Sequence, residues 1–179
     1  MTGKDVSHII LNQKNDDTLV QNLVEKFRDA FNRYGPRTFS SLLMEDGEWT
    51  DIMGQTMIGR KEIEDGHTYP FTTVLKEATL DVKSFRSRWI NDEIVTIDIK
   101  WESSGHKTPD GKPIPIIRYG LLNLTATKTK EKESGDTILR IIIAHNHDYT
   151  STYTQSDRKQ IIEQKEPKIK NSENETGRF

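Results

Sequence analysis

The stretch Leu42–His67, LLMEDGEWTDIMGQTMIGRKEIEDGH, compresses a helix end, a tight hairpin and the start of a new helix into a short run of chain. Leu42 and Leu43 close an apolar helical face, after which Glu48-Trp49-Thr50-Asp51-Ile52 alternates as a half-buried strand does. Gly54 turns the chain, because glycine tolerates positive backbone angles, and Gln55 to Ile58 form the returning strand. Gly59 precedes Arg60-Lys61-Glu62-Ile63, a run of helix formers that starts the next helix. On the first of these strands Trp49, Asp51 and Met53 share one face.

Working outward, Asp16-Asp17-Thr18 offers capping side chains to a first helix whose Leu19, Leu23, Phe27, Ala30 and Phe31 recur at helical spacing. That helix ends at Tyr34-Gly35, with glycine expected in the left-handed cap and Pro36 opening the next element. Phe39, Leu42 and Leu43 form the buried stripe of a short second helix. The third helix is expected to stop at Tyr69, since proline at 70 disfavours helical geometry in the residue before it. From Thr79 the texture changes to four β-rich runs, 79–90, 93–103, 116–130 and 136–149. Asn91-Asp92, Pro109-Asp110-Gly111 and Ser134-Gly135 separate them, and such connections give an antiparallel meander.

A chain of 179 residues supports one core of ordinary size. With 30% of residues charged and 32% hydrophobic, the apolar residues must be concentrated in the middle. The reading is a lead over 1–15, one domain over 16–150, and a charged tail over 151–179 that is disordered or loosely helical. A net charge of −2 with interspersed signs gives no electrostatic case for binding nucleic acid. The absence of cysteine excludes thiol catalysis and thiolate metal sites. The only apolar run near the start is three residues long, far short of a membrane span, so a soluble cytoplasmic protein is expected.

The pattern Glu45-Asp46-x-x-Trp49-x-Asp51, then Gly54, then Gly59-Arg60-x-Glu62-Ile63 and His67, resembles the SnoaL-like branch of the nuclear transport factor 2-like superfamily, within it the SgcJ/EcaC group. The resemblance implies an α+β cone-shaped barrel, three N-terminal helices packed on a strongly bent, mostly antiparallel sheet with a pocket between them. It also implies pairing of two chains through the sheet, for which Leu122, Leu124, Ile142 and Ala144 are the candidate patch. Aligned with the ketosteroid isomerases of the same superfamily, Asp51 falls on their general-base aspartate. Phe27 falls where they carry an oxyanion-donating tyrosine, and Asn123 near their late-strand aspartic acid.

The residues themselves point to the same places. A cone buries a few polar groups in an apolar lining, and those groups are the natural ones for binding or acid–base work. Asp51 is the candidate catalytic residue, as a proton shuttle; the alternatives are a polar wall of the pocket, or a carboxylate paired with a lysine or arginine or capping a local turn. With Phe27 and Asn123, which the resemblance to the isomerases implies, Trp49, Asp51 and His145 make up the candidate ligand-binding set. His145 and His147 alternate on the last strand and share a face, but two imidazoles do not make a metal site, and no metal is assigned. His67 reads as a packing residue of the third helix, and Trp89, Trp101, Phe85 and Tyr119 as core. No glycine-rich dinucleotide loop is present, and no cofactor is expected. The function expected is binding of a small, mostly apolar, aromatic or polyketide-like molecule, with proton transfer of the isomerase, cyclase or dehydratase type. The alternative is a noncatalytic dimerising association module.

Overall fold

The computed structural model describes the backbone of residues 3–150 and the side chains of 16–150. The elements run α1 (Gly3–Asn32), α2 (Pro36–Ser40), β1 (Leu43–Thr50), β2 (Thr56–Ile58), α3 (Arg60–Thr72), β3 (Thr79–Trp89), β4 (Ile94–Ser104), β5 (Arg118–Lys130) and β6 (Thr137–Asp148). The strands form one six-stranded sheet in the order β2-β1-β6-β5-β4-β3, antiparallel except where β1 runs parallel to β6. This is the α+β architecture expected. The sheet is curved and open, with β2 and β3 as its edges, so it is not a closed barrel.

Periodicity decides which face of the sheet the helices cover. Along β4, Val95, Ile97, Ile99, Trp101 and Ser103 are buried, while Thr96, Asp98, Lys100 and Glu102 alternate to the other side. Their antiparallel partners on β5 continue the apolar face through Gly120, Leu122, Leu124 and Ala126. Against it pack Val20, Leu23, Val24, Phe27 and Ala30 of α1, Phe39 of α2, and Ile63 and Phe71 of α3. Burial of each large side chain contributes about 1.5–3 kcal/mol, which sets the register firmly, because a one-residue slip would turn the whole row to solvent. Leu122, Leu124 and Ala144 are therefore core, so three of the four residues expected to form a pairing patch face inward, and only Ile142 stays half-buried.

Several local expectations shift. Helix α1 begins at Gly3, well before the Asp16-Asp17-Thr18 cap, and so takes in residues 3–15 of the expected lead; residues 1–2 and the expected tail over 151–179 lie outside the described residues. At its other end Tyr34, not Gly35, adopts the left-handed conformation (φ 53°), held there by its hydroxyl donating to the Ala78 carbonyl at 3.0 Å. Asn32 pairs with the backbone of Leu80 through both its amide nitrogen (3.0 Å) and its oxygen (2.8 Å), fastening α1 to β3.

Leu43 opens β1 instead of closing α2, and the ladder to β6 bulges between Leu43 and Glu48. Arg60 spans that bulge, donating to the Leu43 carbonyl from Nε (2.8 Å) and Nη2 (2.6 Å) and to Glu45 from Nη1 (2.7 Å). Helix α3 continues past Tyr69 through Pro70 to Thr72. Proline lacks only its own amide donor there, and its carbonyl still accepts the Leu75 amide at 2.8 Å in the turn that follows. Among the described residues no helix is long and apolar enough to cross a membrane.

Candidate functional site

Between the helices and the inner face of the sheet lies a cavity of about 370 Å³. Its wall is an aromatic cluster built by consecutive elements. Phe39 of α2 sits 5.9 Å from Phe27, 4.9 Å edge-on to Trp49 and 5.6 Å edge-on to Phe71, measured between ring centroids. Phe27 stacks on Trp49 at 6.3 Å. Phe31, Met57, Leu75 and Leu80 complete the apolar lining.

His67 joins this wall, with its ring 4.4 Å from Phe39, 5.5 Å from Trp49 and 5.6 Å from Phe71. Its Nδ1 lies 2.8 Å from the Ile63 carbonyl one helical turn back; a carbonyl only accepts, so Nδ1 carries the proton. Burial among the rings pushes its pKa below the ordinary histidine value, against the opposing pull of the Ile63 carbonyl and the nearby Asp51 charge. The imidazole is thus neutral near pH 7, and Nε2 is the ring atom left with a lone pair. These rings come from other elements, which is why a helical histidine reads as simple packing from sequence.

Asp51 lines the cavity, but its position differs from expectation. Strand β1 ends at Thr50, so Asp51 sits in the hairpin, where its Oδ1 accepts the amides of Met53 (2.8 Å) and Gln55 (2.9 Å). It caps the turn that Gly54 (φ 79°) closes. Met53 lines the same cavity as Trp49 and Asp51 but lies at its mouth, 78% exposed. Phe27 and Trp49 are both 2% exposed within the lining.

Asn123 and His145 are on the other side of the sheet. They pair with each other across β5 and β6 on the outer face, where Asn123 donates to Asp98 at 2.5 Å and Arg86 donates to the same carboxylate at 2.6 Å. Burial resists ionisation of Asp98, but these two contacts outweigh it and hold its carboxyl below the usual value. His145 and His147 are exposed. The physical reason is a bulge: Ala126 pairs with Ile141 but Thr125 with Ile143, so the alternation of β6 shifts by one. Ala144, Asn146 and Asp148 then face inward, and the histidines face out. Among the described residues no group of three or more His, Cys, Asp or Glu is arranged to hold a metal ion.

Sequence reasoning missed a second polar group. The ends of β1, β4 and β6 and the start of β5 converge at one end of the sheet, as the pairs Thr50–His145, Ser103–Arg118 and Gly120–Asp148 show. There Asn146, Arg118, Ser103 and His106 enter the lining. Gly105 (φ +80°) reverses the chain after β4, and a Cβ at that position would sit 2.6 Å from the Glu77 carbonyl oxygen. The reversal folds His106 back so that Nε2 lies 2.8 Å from the Ser103 hydroxyl. Burial, with the adjacent Arg118 cation, lowers His106 to about 4, against the pull of Asp148. Arg118 is ion-paired with Asp148, and that carboxyl is held low by its Thr150 and Arg118 contacts despite its burial. Gly120 has no side chain, so the Trp101 indole lies over its backbone and donates from Nε1 to Asn146 Oδ1 at 2.9 Å.

No family model matches the chain, and no curated protein matches it. Solved structures do. An uncharacterized protein with a cystatin-like fold from Caulobacter vibrioides superposes with a TM-score of 0.64 at 24% identity, covering 80% of this chain and 94% of that one. A domain of unknown function with a cystatin-like fold from Nostoc punctiforme gives 0.60 at 18% identity, covering 84% and 94%. An NTF2-like protein with a cystatin-like fold from Novosphingobium aromaticivorans gives 0.62 at 13% identity, covering 88% and 96%. Element order, sheet topology and these superpositions agree: the chain has the α+β cystatin-like fold of NTF2-like proteins.

Proposed function

We propose that this is a small-molecule-binding domain of the SnoaL-like, SgcJ/EcaC kind, and that His67 exchanges a proton with a mostly apolar, aromatic or polyketide-like ligand held against Phe39 and Trp49. The observation that carries the reading is His67 itself: a neutral imidazole, its Nδ1 fixed to the Ile63 carbonyl, in the wall of an apolar cavity. A neutral base is free to accept a proton, and it becomes a cation only when it takes one from the ligand. Asp51, whose charge already acts on His67, would stabilise the imidazolium so formed. In the step proposed, Nε2 takes a proton from carbon, and the electron pair of the broken C–H bond passes to the adjacent unsaturated group. Return of the proton to the same or another atom gives exchange or isomerisation.

The test is hydrogen–deuterium exchange at the activated CH₂ of 2-tetralone in D₂O. Wild-type protein is expected to accelerate exchange over buffer, and His67→Gln to remove the acceleration while leaving the fold intact. Binding of the ketone without acceleration would contradict the catalytic reading and favour the noncatalytic association module.

A further inference from the structure

Resting on the pocket reading above, we infer that the Asn146–Arg118–His106 corner of the cavity is a subsite for a neutral carbonyl oxygen, so that the ligand class is an aromatic or polycyclic ketone, quinone or ester in place of a hydrocarbon or a carboxylate.

Three features of the corner lead there. The first is donor surplus. The Trp101 indole already occupies Asn146 Oδ1 and so fixes the orientation of the amide. Its Nδ2, which has no acceptor among the described residues, is presented beside the cavity. Arg118 carries five N–H groups in a rigid fork, of which the ion pair with Asp148 uses only part. An acceptor oxygen is the complement of this set, and a hydrocarbon would leave the donors unmatched.

The second is charge balance. Arg118 is compensated by Asp148, and Lys107, the other cation in the lining, by Glu77 at 2.5 Å. His106 is neutral near pH 7, and Asp51 contributes a negative charge to the same lining. Asp51 follows Thr50, the last β1 residue paired with β6, and lines the same cavity as Asn146. A carboxylate entering the cavity would find both lining cations, Arg118 and Lys107, already paired and would add to the negative charge of Asp51, whereas a neutral carbonyl takes the same hydrogen bonds without bringing a charge.

The third is construction. The corner is rigid for reasons unrelated to core packing alone: Gly105 folds His106 back onto Ser103, and Gly120 gives Trp101 the room to reach Asn146. Such support of a donor group from behind is what preorganises a polar contact.

The experiment uses three matched probes, 2-acetylnaphthalene, 2-ethylnaphthalene and 2-naphthoate, titrated into the full chain and followed by tryptophan fluorescence and calorimetry. The ketone is expected to bind at least tenfold more tightly than the hydrocarbon, and the carboxylate no better than the hydrocarbon. Asn146→Asp keeps the acceptor for Trp101 and replaces the Nδ2 donor, so it should lower the ratio of ketone to hydrocarbon affinity tenfold or more. The C=O stretch of bound 2-acetylnaphthalene in wild-type protein, which needs no variant, should move to lower wavenumber than in hexane. Equal affinity for ketone and hydrocarbon, tightest binding of the carboxylate, or an unshifted stretch would overturn the inference while leaving the pocket reading in place. Failure of all three probes to bind would overturn both.

Discussion

Replacing Gly120 by alanine tests the geometry of the site at its tightest point. A Cβ at that position would lie 1.9 Å from Trp101 Cζ2, 2.1 Å from Cε2 and 2.5 Å from the His147 carbonyl oxygen. Backbone on one side and a buried indole on the other leave no cheap escape, so the indole must leave its place over the strand. Overpacking of this kind costs about 1–3 kcal/mol. The displaced indole also loses its bond to Asn146, worth about 0.5–1.5 kcal/mol net. The sum is about 2–4 kcal/mol, to be read from equilibrium urea unfolding; near 3 kcal/mol it corresponds to a fall in melting temperature of about 10 °C for a domain of this size. Gly111→Ala is the control, since nothing lies within 4 Å of the added carbon and only its φ of +83° opposes the change. Backbone strain alone costs about 1–2 kcal/mol. A Gly120→Ala variant within 0.5 kcal/mol of wild type, with affinity for 2-acetylnaphthalene unchanged, would refute the reasoning.

Other outcomes follow from the same contacts. Truncation of Phe39, which is 2% exposed and touches Phe27, Trp49, His67 and Phe71, should cost about 3–5 kcal/mol and abolish probe binding in fluorescence titration. Both His67 and His106 have folded-state pKa values below the unfolded histidine value, His106 at about 4. The unfolded chain therefore binds more protons, and the stability they contribute is complete above pH 6.5 and is lost as pH falls toward the folded values. Urea unfolding at pH 7 and pH 5 should show the decline, and His106→Asn should flatten part of it; a variant profile parallel to wild type would contradict the assignment. Arg118→Met leaves the Asp148 carboxylate inside without its cation, so carbon-detected NMR should find that carboxyl titrating at higher pH than in wild type. The accompanying loss of stability should be about 2–3 kcal/mol, below the roughly 3–5 kcal/mol of fully buried pairs because the Arg118 side chain is 25% exposed.

The fold was legible because its signals are local and repeated. Strand β4 alternates without interruption from Val95 to Ser103, and the turn residues around Gly54, Asn91 and Gly135 mark the connections. The site was legible only where it rests on such signals. Phe27 belongs to an amphipathic helix and Trp49 to a regular stretch of β1, and both are found in the lining. Asn123 and His145 were assigned inward, and each error has a specific cause. For Asn123 the neighbours Leu122 and Leu124 have more to gain from burial, so they take the inner face and the amide pairs with Asp98 outside. For His145 the bulge opposite Thr125 and Ala126 moves β6 by one residue, and Asn146 takes the inward place. A bulge of this kind leaves no mark in a run of isoleucines. Asp51 was placed on a strand that ends one residue earlier, where its side chain is worth more as a turn cap. His67 and His106 owe their chemistry to rings and cations brought from distant parts of the chain, which no spacing in the sequence encodes.

The central claim is that His67 waits in the cavity as a neutral base with Nε2 bare. Long-range ¹H–¹⁵N correlation spectra of histidine-labelled protein at pH 7 test it directly. The account predicts that His67 carries its proton on Nδ1, that Nε2 resonates as an unprotonated nitrogen, and that this signal moves when 2-acetylnaphthalene is added. A proton on Nε2, or an Nε2 signal indifferent to saturating ketone, would contradict it.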